Sequence, residues 1–86
     1  MMEMSPVHCR AARGVLRWSQ ESLAARSGVG LSTIRDFEAE RRNPISANLR
    51  AIKKALEEAG VELLQPEPGV RGPGVCLKWE LGQIGR

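Results

Sequence analysis

The sequence has few of the residues on which disulfides, metal sites and most catalytic sites depend. It contains one histidine, His8, and two cysteines, Cys9 and Cys76, which lie far apart and belong to no CxxC pair. A disulfide framework or a site with zinc-ligand spacing is therefore not indicated, and a reducing compartment is expected. His8 has no evident nucleophile or orienting acid, and we expect it on the surface. No glycine-rich phosphate loop occurs, so we predict no enzyme, no cofactor and no metal.

Long apolar runs are also missing. No stretch approaches the ~20 residues that a membrane-spanning helix needs. The first residues lack the basic and apolar regions of a signal peptide. The pattern is typical of a soluble cytoplasmic protein, and we expect no membrane partner.

What the sequence does have is an uneven distribution of charge. The chain has 86 residues and a net charge of +3, and its length allows one small domain with a thin core. Residues 10–54 contain ten Lys or Arg and four Asp or Glu, a balance of +6, whereas the rest contains three and six, a balance of −3. Phosphate binding requires a positive region of this kind. Taken by itself, however, the charge distribution is explained equally well by an ordinary solvated surface.

Residues 18–43 predict two short helices joined by a glycine turn. Ser19 is a suitable N-cap for the first helix, and Gly28 can adopt the positive φ that ends it. The second helix is expected over residues 31–39, with its apolar side chains towards the first helix and polar ones on the opposite side. A helix pair with so tight a turn is a helix-turn-helix, whose second helix enters a major groove.

This segment resembles the lambda repressor and Cro-like (Xre) family of bacterial and phage regulators. The residues that carry the resemblance are Trp18-Ser19-Gln20-Glu21, Leu23-Ala24, Gly28, Ser32-Thr33-Ile34, Phe37-Glu38 and Arg41-Arg42-Asn43-Pro44. With the flanking helices the resemblance covers residues 4–60, the expected DNA-binding domain. It implies a mainly α fold, a lambda-repressor-like bundle of four helices, to which a C-terminal two-stranded β-hairpin is added.

Local signals predict the two flanking helices. Ser5 and Pro6 are typical of an N-cap and a first helical residue, and Ser46 is expected to cap the fourth helix. That helix should run to about Ala59, with Gly60 ending it.

After residue 60 the apolar period changes from 3.6 to 2, which predicts strands at residues 61–64 and 75–81. An isolated hairpin is marginally stable in water, and an apolar face with a free edge favours pairing with a second copy. We therefore predict that residues 61–82 make a homodimer; the alternative is that the hairpin folds back onto the fourth helix. Residues 83–86 are expected to form a loose tail. The predicted interface residues are Val75, Leu77, Trp79 and Leu81.

Arg13 interrupts the apolar stripe of the first helix, which Cys9, Ala12 and Leu16 otherwise form. A buried guanidinium without a carboxylate partner is costly. In the resembling family an Arg and a Glu at these positions form a partly buried ion pair, which implies that Arg13 pairs with Glu38. The alternative is that Arg13 extends along its aliphatic stem to solvent.

The resemblance also assigns DNA contacts. In this family a glutamine at the first position of the first motif helix contacts phosphate, and basic residues after the second helix lie beside the DNA backbone. The expected phosphate contacts are Gln20, Thr33, Arg41, Arg42 and Asn43. The expected base-reading residues, on the second helix, are Leu31, Ser32, Arg35 and Asp36.

Three positions depart from the family pattern. Gly30 stands where Ser or Thr usually caps the second helix, although glycine is an adequate cap. Leu31 stands where a polar side chain is common; it can contact a thymine methyl but cannot hydrogen-bond a base edge. Glu40 stands near a usual Gly or Asn, where a positive φ would cost about 1 kcal/mol.

The expected function is sequence-specific binding of double-stranded DNA by a transcriptional regulator, most simply a repressor. Two alternatives stay open. An antitoxin would bind DNA through the same helices and a toxin protein through the hairpin. A protein-interaction adaptor would have lost the DNA contacts, and Leu31 is the only residue that favours it.

Overall fold

The computed structural model describes residues 4–64 and 74–77 of the chain. In these ranges it contains four helices and one antiparallel pair of strands, which confirms the predicted helix-turn-helix bundle with a hairpin. No helix in the described ranges combines the length and the apolar character that crossing a membrane requires. The elements are α1 (Pro6–Leu16), α2 (Gln20–Ser27), α3 (Leu31–Glu38), α4 (Ser46–Glu58), β1 (Val61–Leu64) and β2 (Gly74–Leu77).

The first two helices begin and end where the local signals place them. Ser5 caps α1, with Pro6 as the first helical residue. The side chain of Ser19 caps α2 by accepting a hydrogen bond from the backbone N–H three residues on, at 3.0 Å. Gly28 ends α2 at a φ of 75°, a conformation that glycine adopts without a Cβ penalty.

Two helix ends differ from the prediction. Ser46 is not the cap of α4, because Ile45 has the extended backbone of an N-cap and its carbonyl accepts the first helical hydrogen bond, from Leu49 N–H at 3.0 Å. The helix thus starts without a side-chain acceptor at its cap. At the end of α3, Ala39 is the C-cap rather than the last helical residue.

The core is formed jointly by the helices and β1. In α3, Ile34 and Phe37 are 0% and 2% exposed, so one side of this helix is fixed against the rest of the domain and the other is left to solvent. The buried apolar residues are Met4, Cys9, Ala12, Leu23, Val29, Ile34, Phe37, Ile52, Ala55, Leu56, Val61 and Leu63.

The hairpin packs on the helices of its own chain. Val61 and Leu63 of β1 belong to the core, and Val75, opposite Leu63 in the antiparallel register, is half-buried against it. At Val75 the structure therefore matches the alternative in which the hairpin folds back. Leu77 pairs with Val61 in the register, while the predicted interface residues Trp79 and Leu81 lie outside the described residues.

His8 is buried, and the prediction of a surface position is wrong. It is 1% exposed, and its Nε2 hydrogen-bonds the carbonyl of Leu64 at 2.6 Å. Its Nδ1 accepts from the backbone N–H of Ser5 at 3.0 Å, so the proton must be on Nε2 and this nitrogen donates. The reason for the error is tertiary, since β1 returns to α1 and covers the ring.

Arg17, which ends α1, has a φ of 60° although it is not a glycine. The left-handed conformation costs a residue with a Cβ about 1 kcal/mol. Arg17→Gly should therefore raise the free energy of unfolding by up to about 1 kcal/mol and the midpoint of thermal unfolding by roughly 4–8 °C. Arg17→Ala, which removes the side chain but keeps the Cβ, is the control and should give no gain. Equal effects of the two substitutions would show that backbone strain is not the cause.

Candidate nucleic-acid interface

The outward side of α3 carries the predicted base-reading residues. Ser32 and Arg35 are exposed, and Leu31 and Asp36 are partly exposed. Thr33, predicted as a phosphate contact, is also partly exposed in the first turn. The structure thus brings these residues together on one short helix, whose opposite side is held by the core.

A buried ion pair holds this helix in place. Arg13 Nε and Nη2 each lie 2.7 Å from a carboxylate oxygen of Glu38, so the pair is bidentate. The Glu38 side chain is 4% exposed and that of Arg13 is 20% exposed. Arg13 also donates to the carbonyl of Trp18 at 2.9 Å. The pair therefore joins α1, the start of α2 and the end of α3.

Two further side chains complete the environment of the Glu38 carboxylate. Gln20 Nε2 donates to Oε1 at 3.0 Å, and Cys9 Sγ donates to Oε2 at 3.0 Å. Every donor a buried carboxylate needs is thus supplied from within the domain. The side chain of Gln20, expected at a DNA phosphate, is used here for the interior network. Its backbone N–H, in the first turn of α2, has no partner within the helix.

The electrostatics of the network keep it in one protonation state. Burial alone would raise the pKa of Glu38, but the hydrogen bonds from Arg13, Cys9 and Gln20 outweigh burial and lower it. The hydrogen bond to Glu38 raises the pKa of Arg13 despite the opposing effect of burial. Burial, and then the bond to Glu38, raises the pKa of the Cys9 thiol. Glu38 is therefore a carboxylate, Arg13 a cation and Cys9 a neutral donor.

A tight turn after α3 places the predicted phosphate contacts. Arg41 N–H donates to the carbonyl of Asp36 at 2.8 Å, and Glu40 N–H donates to that of Phe37 at 3.0 Å. These are the two bonds of a Schellman motif, whose left-handed residue is usually glycine. Here it is Glu40, with a φ of 61°. The three residues that follow, all exposed, are Arg41, Arg42 and Asn43.

Arg10 stabilises this turn and was not identified from the sequence. Its Nη1 donates to the carbonyl of Glu38, and its Nη2 lies 3.7 Å from Glu40 Oε2. The available signal was the spacing of Arg10 and Arg13, which places both guanidinium groups on one side of α1. Arg10 of α1 thus offsets part of the strain at Glu40.

One ion pair connects the two predicted classes of DNA contact. Arg41 Nη1 lies 3.7 Å from Asp36 Oδ1, and the side chains are 75% and 31% exposed. The pair therefore lies at the surface, beside the outward side of α3. Among residues 4–64 and 74–77, no group of three or more His, Cys, Asp or Glu side chains is placed to bind a metal ion.

Comparison with known proteins agrees with this geometry. A family model described as helix-turn-helix matches residues 10–63, more than half of the chain. The matched range includes α2, α3 and the turn between them. A search of the curated proteins gives no match.

The Arg13–Glu38 pair should be strongly coupled in stability. Removing one partner leaves a buried charge without compensation, so Arg13→Met or Glu38→Gln should each cost about 3 kcal/mol in the free energy of unfolding. Changing both should cost clearly less than the sum, as measured by denaturant unfolding of the four proteins. The control is the Lys53–Glu57 pair of α4, 3.7 Å apart and partly exposed, for which about 0.5 kcal/mol is expected.

The coupling should also depend on pH. Folding lowers the pKa of Glu38. The contribution of the ionised Glu38 to the free energy of unfolding is therefore complete above the unfolded pKa of about 4.3 and is lost as the pH falls through the lowered, folded pKa.

Additive effects of Arg13→Met and Glu38→Gln on the free energy of unfolding at pH 7 would mean that the two side chains act independently.

Proposed function

Because this chain belongs to the Xre-like family of Cro/C1-type helix-turn-helix domains, which bind DNA and regulate transcription, we propose that it is a sequence-specific transcriptional repressor. Repression is the simplest mode, since a small domain that occupies a promoter blocks it without further activity. Its site of action is then the cytoplasm, where bacterial and phage DNA lies.

The observation that carries this proposal is the orientation of α3. Its inner side is fixed by Ile34, Phe37 and the Arg13–Glu38 pair. The polar side chains of Ser32, Arg35 and Asp36 are exposed or partly exposed. A rigid helix with a free polar side is what insertion into a major groove requires. The side that reads the bases consists of Leu31, Ser32, Arg35 and Asp36.

Each of these side chains suits a different base edge. The guanidinium of Arg35 can donate two hydrogen bonds to the O6 and N7 of guanine, and the carboxylate of Asp36 can accept from the amino group of cytosine. Leu31 suits a thymine methyl, and Ser32 can donate or accept. Sequence preference therefore rests mainly on Arg35 and Asp36.

The phosphate contacts surround this helix. The N-terminus of α2, at Gln20, presents backbone N–H groups that favour an anion, and Thr33 lies in the first turn of α3. The exposed residues after α3 supply two cationic side chains and one neutral amide to the interface. They are Arg41, Arg42 and Asn43.

We propose that the active species is a homodimer, because one domain contacts only a few base pairs and a two-fold partner adds a second half-site about 34 Å away. Residues 4–60 form the DNA-binding domain in this proposal, and residues 61–82 pair the two copies. On β1, Leu64 is 41% exposed and lies on the side of the hairpin turned away from the core.

DNA binding is tested by selecting duplexes from a random pool and titrating them at 50–200 mM salt. Arg42→Ala should weaken binding to all duplexes alike and reduce the slope of log affinity against log salt concentration by about 1. Arg35→Ala should instead change which sequence is selected. Lys54→Ala, which removes the same charge from the exposed side of α4, is the control and should do neither.

The outcome also separates the alternatives. An adaptor would show no salt-dependent binding to any duplex. An antitoxin would bind DNA and, in addition, co-purify with a stoichiometric amount of a second small protein. An unchanged selected sequence after Arg35→Ala would mean that α3 does not read the bases as proposed.

The dimer is tested by sedimentation equilibrium of the intact chain. We expect twice the chain mass, and Trp79→Lys should reduce it to one chain mass because a charge in an apolar interface is costly. Ile45→Lys, the same kind of change at an exposed apolar position outside the hairpin, is the control. A version ending at residue 60 is unsuitable, since it lacks the buried Val61 and Leu63. An intact chain that sediments as a monomer up to about 100 µM would refute the proposal.

A further inference from the structure

We propose that the Asp36 carboxylate competes with DNA phosphate for Arg41. This competition weakens binding to duplexes that lack the correct base opposite Asp36. The inference rests on the proposed DNA-binding function and concerns how the same site discriminates. The correct base, in chemical terms, is one that presents an amino group in the major groove, as cytosine does.

The turn after α3 builds this pair into the fold. In a Schellman motif the residue after the left-handed position returns over the last helical turn, and an apolar contact there is common. In this chain the two residues that meet are Arg41 and Asp36, with a backbone hydrogen bond of 2.8 Å and an Nη1–Oδ1 distance of 3.7 Å. The contact is therefore a consequence of the backbone path and brings opposite charges together.

The pair is not explained by stability. The Arg41 side chain is 75% exposed, and surface pairs of this kind contribute little to folding. The buried Arg13–Glu38 pair already fixes α3 from the other side. An exposed pair that breaks easily, at the edge of the proposed interface, is suited to exchange its partners when DNA binds.

Asp36 also has a distinct position among the acidic residues in and just after α3. Glu38 is buried and bound to Arg13, and Glu40 lies 3.7 Å from Arg10. Asp36 is partly exposed among the proposed base-reading residues, so its charge lies nearest the DNA in the proposed complex.

The two kinds of duplex then differ in what happens to this charge. On a cognate site the carboxylate of Asp36 accepts a hydrogen bond from the base amino group, and Arg41 is released to a phosphate. On another sequence no amino group replaces Arg41 at the carboxylate, so the ion pair must break without compensation before Arg41 can reach a phosphate. Discrimination thus comes from a penalty on wrong sites, a common source of specificity.

The test compares intact protein with Asp36→Asn, Arg41→Gln and the double variant, using fluorescence anisotropy on the selected duplex and on a random duplex at 50 and 200 mM salt. Asp36→Asn should bind the random duplex roughly two- to fivefold more tightly at 50 mM salt, because Arg41 then reaches a phosphate without first leaving an exposed ion pair. Its binding to the selected duplex should not improve, so the ratio of the two affinities falls. The gain should disappear when Arg41 is also changed to Gln.

The control is Glu57→Gln, which makes the same charge change in the Lys53–Glu57 pair of α4. It should change the affinity for each duplex by less than twofold. The midpoint of thermal unfolding of every variant should stay close to that of the intact protein. Equal gains on both duplexes after Asp36→Asn, or a gain that persists with Arg41→Gln, would overturn the inference, since both indicate general charge repulsion. If the intact chain selects no duplex at all, the proposed function itself fails, and this result is distinct from the other two.

Discussion

The fold of this protein depends on one buried carboxylate. Glu38 is the last residue of α3, and its oxygens accept hydrogen bonds from Arg13, Gln20 and Cys9 on the two preceding helices. These directional hydrogen bonds add to the apolar packing of Ile34 and Phe37 and help to specify the position and rotation of α3. Each oxygen of Glu38 accepts one hydrogen bond from Arg13 and one from Gln20 or Cys9, so loss of Arg13 would leave the buried carboxylate without its counter-charge.

The backbone is strained immediately after α3 ends. The chain turns at Glu40 in a conformation that glycine normally adopts, and Arg10 offsets part of this cost by binding the turn from α1. The turn in return sets Arg41 beside Asp36 and directs the basic residues that follow to the surface. Structure and proposed function are linked here, because the strained turn is what gathers the charged groups at one end of α3.

The sequence by itself determined the elements and the family. Helix starts at Ser5 and Ser19 and the helix end at Gly28 follow from signals contained within a few neighbouring residues, so no tertiary contact is needed to find them. The change of period after residue 60 gave the hairpin in the same way. The combined motif also indicated that Arg13 and Glu38 are partners, although that inference came from resemblance rather than from spacing.

Only the tertiary structure decided which polar groups face inward. His8 is buried because Leu64, 56 positions away, returns to cover it, and Cys9 and Gln20 are drawn into the Glu38 network from other helices. In each case the deciding partner is distant in sequence, and nothing in the local pattern of a helix states which distant backbone or side chain will be placed against it.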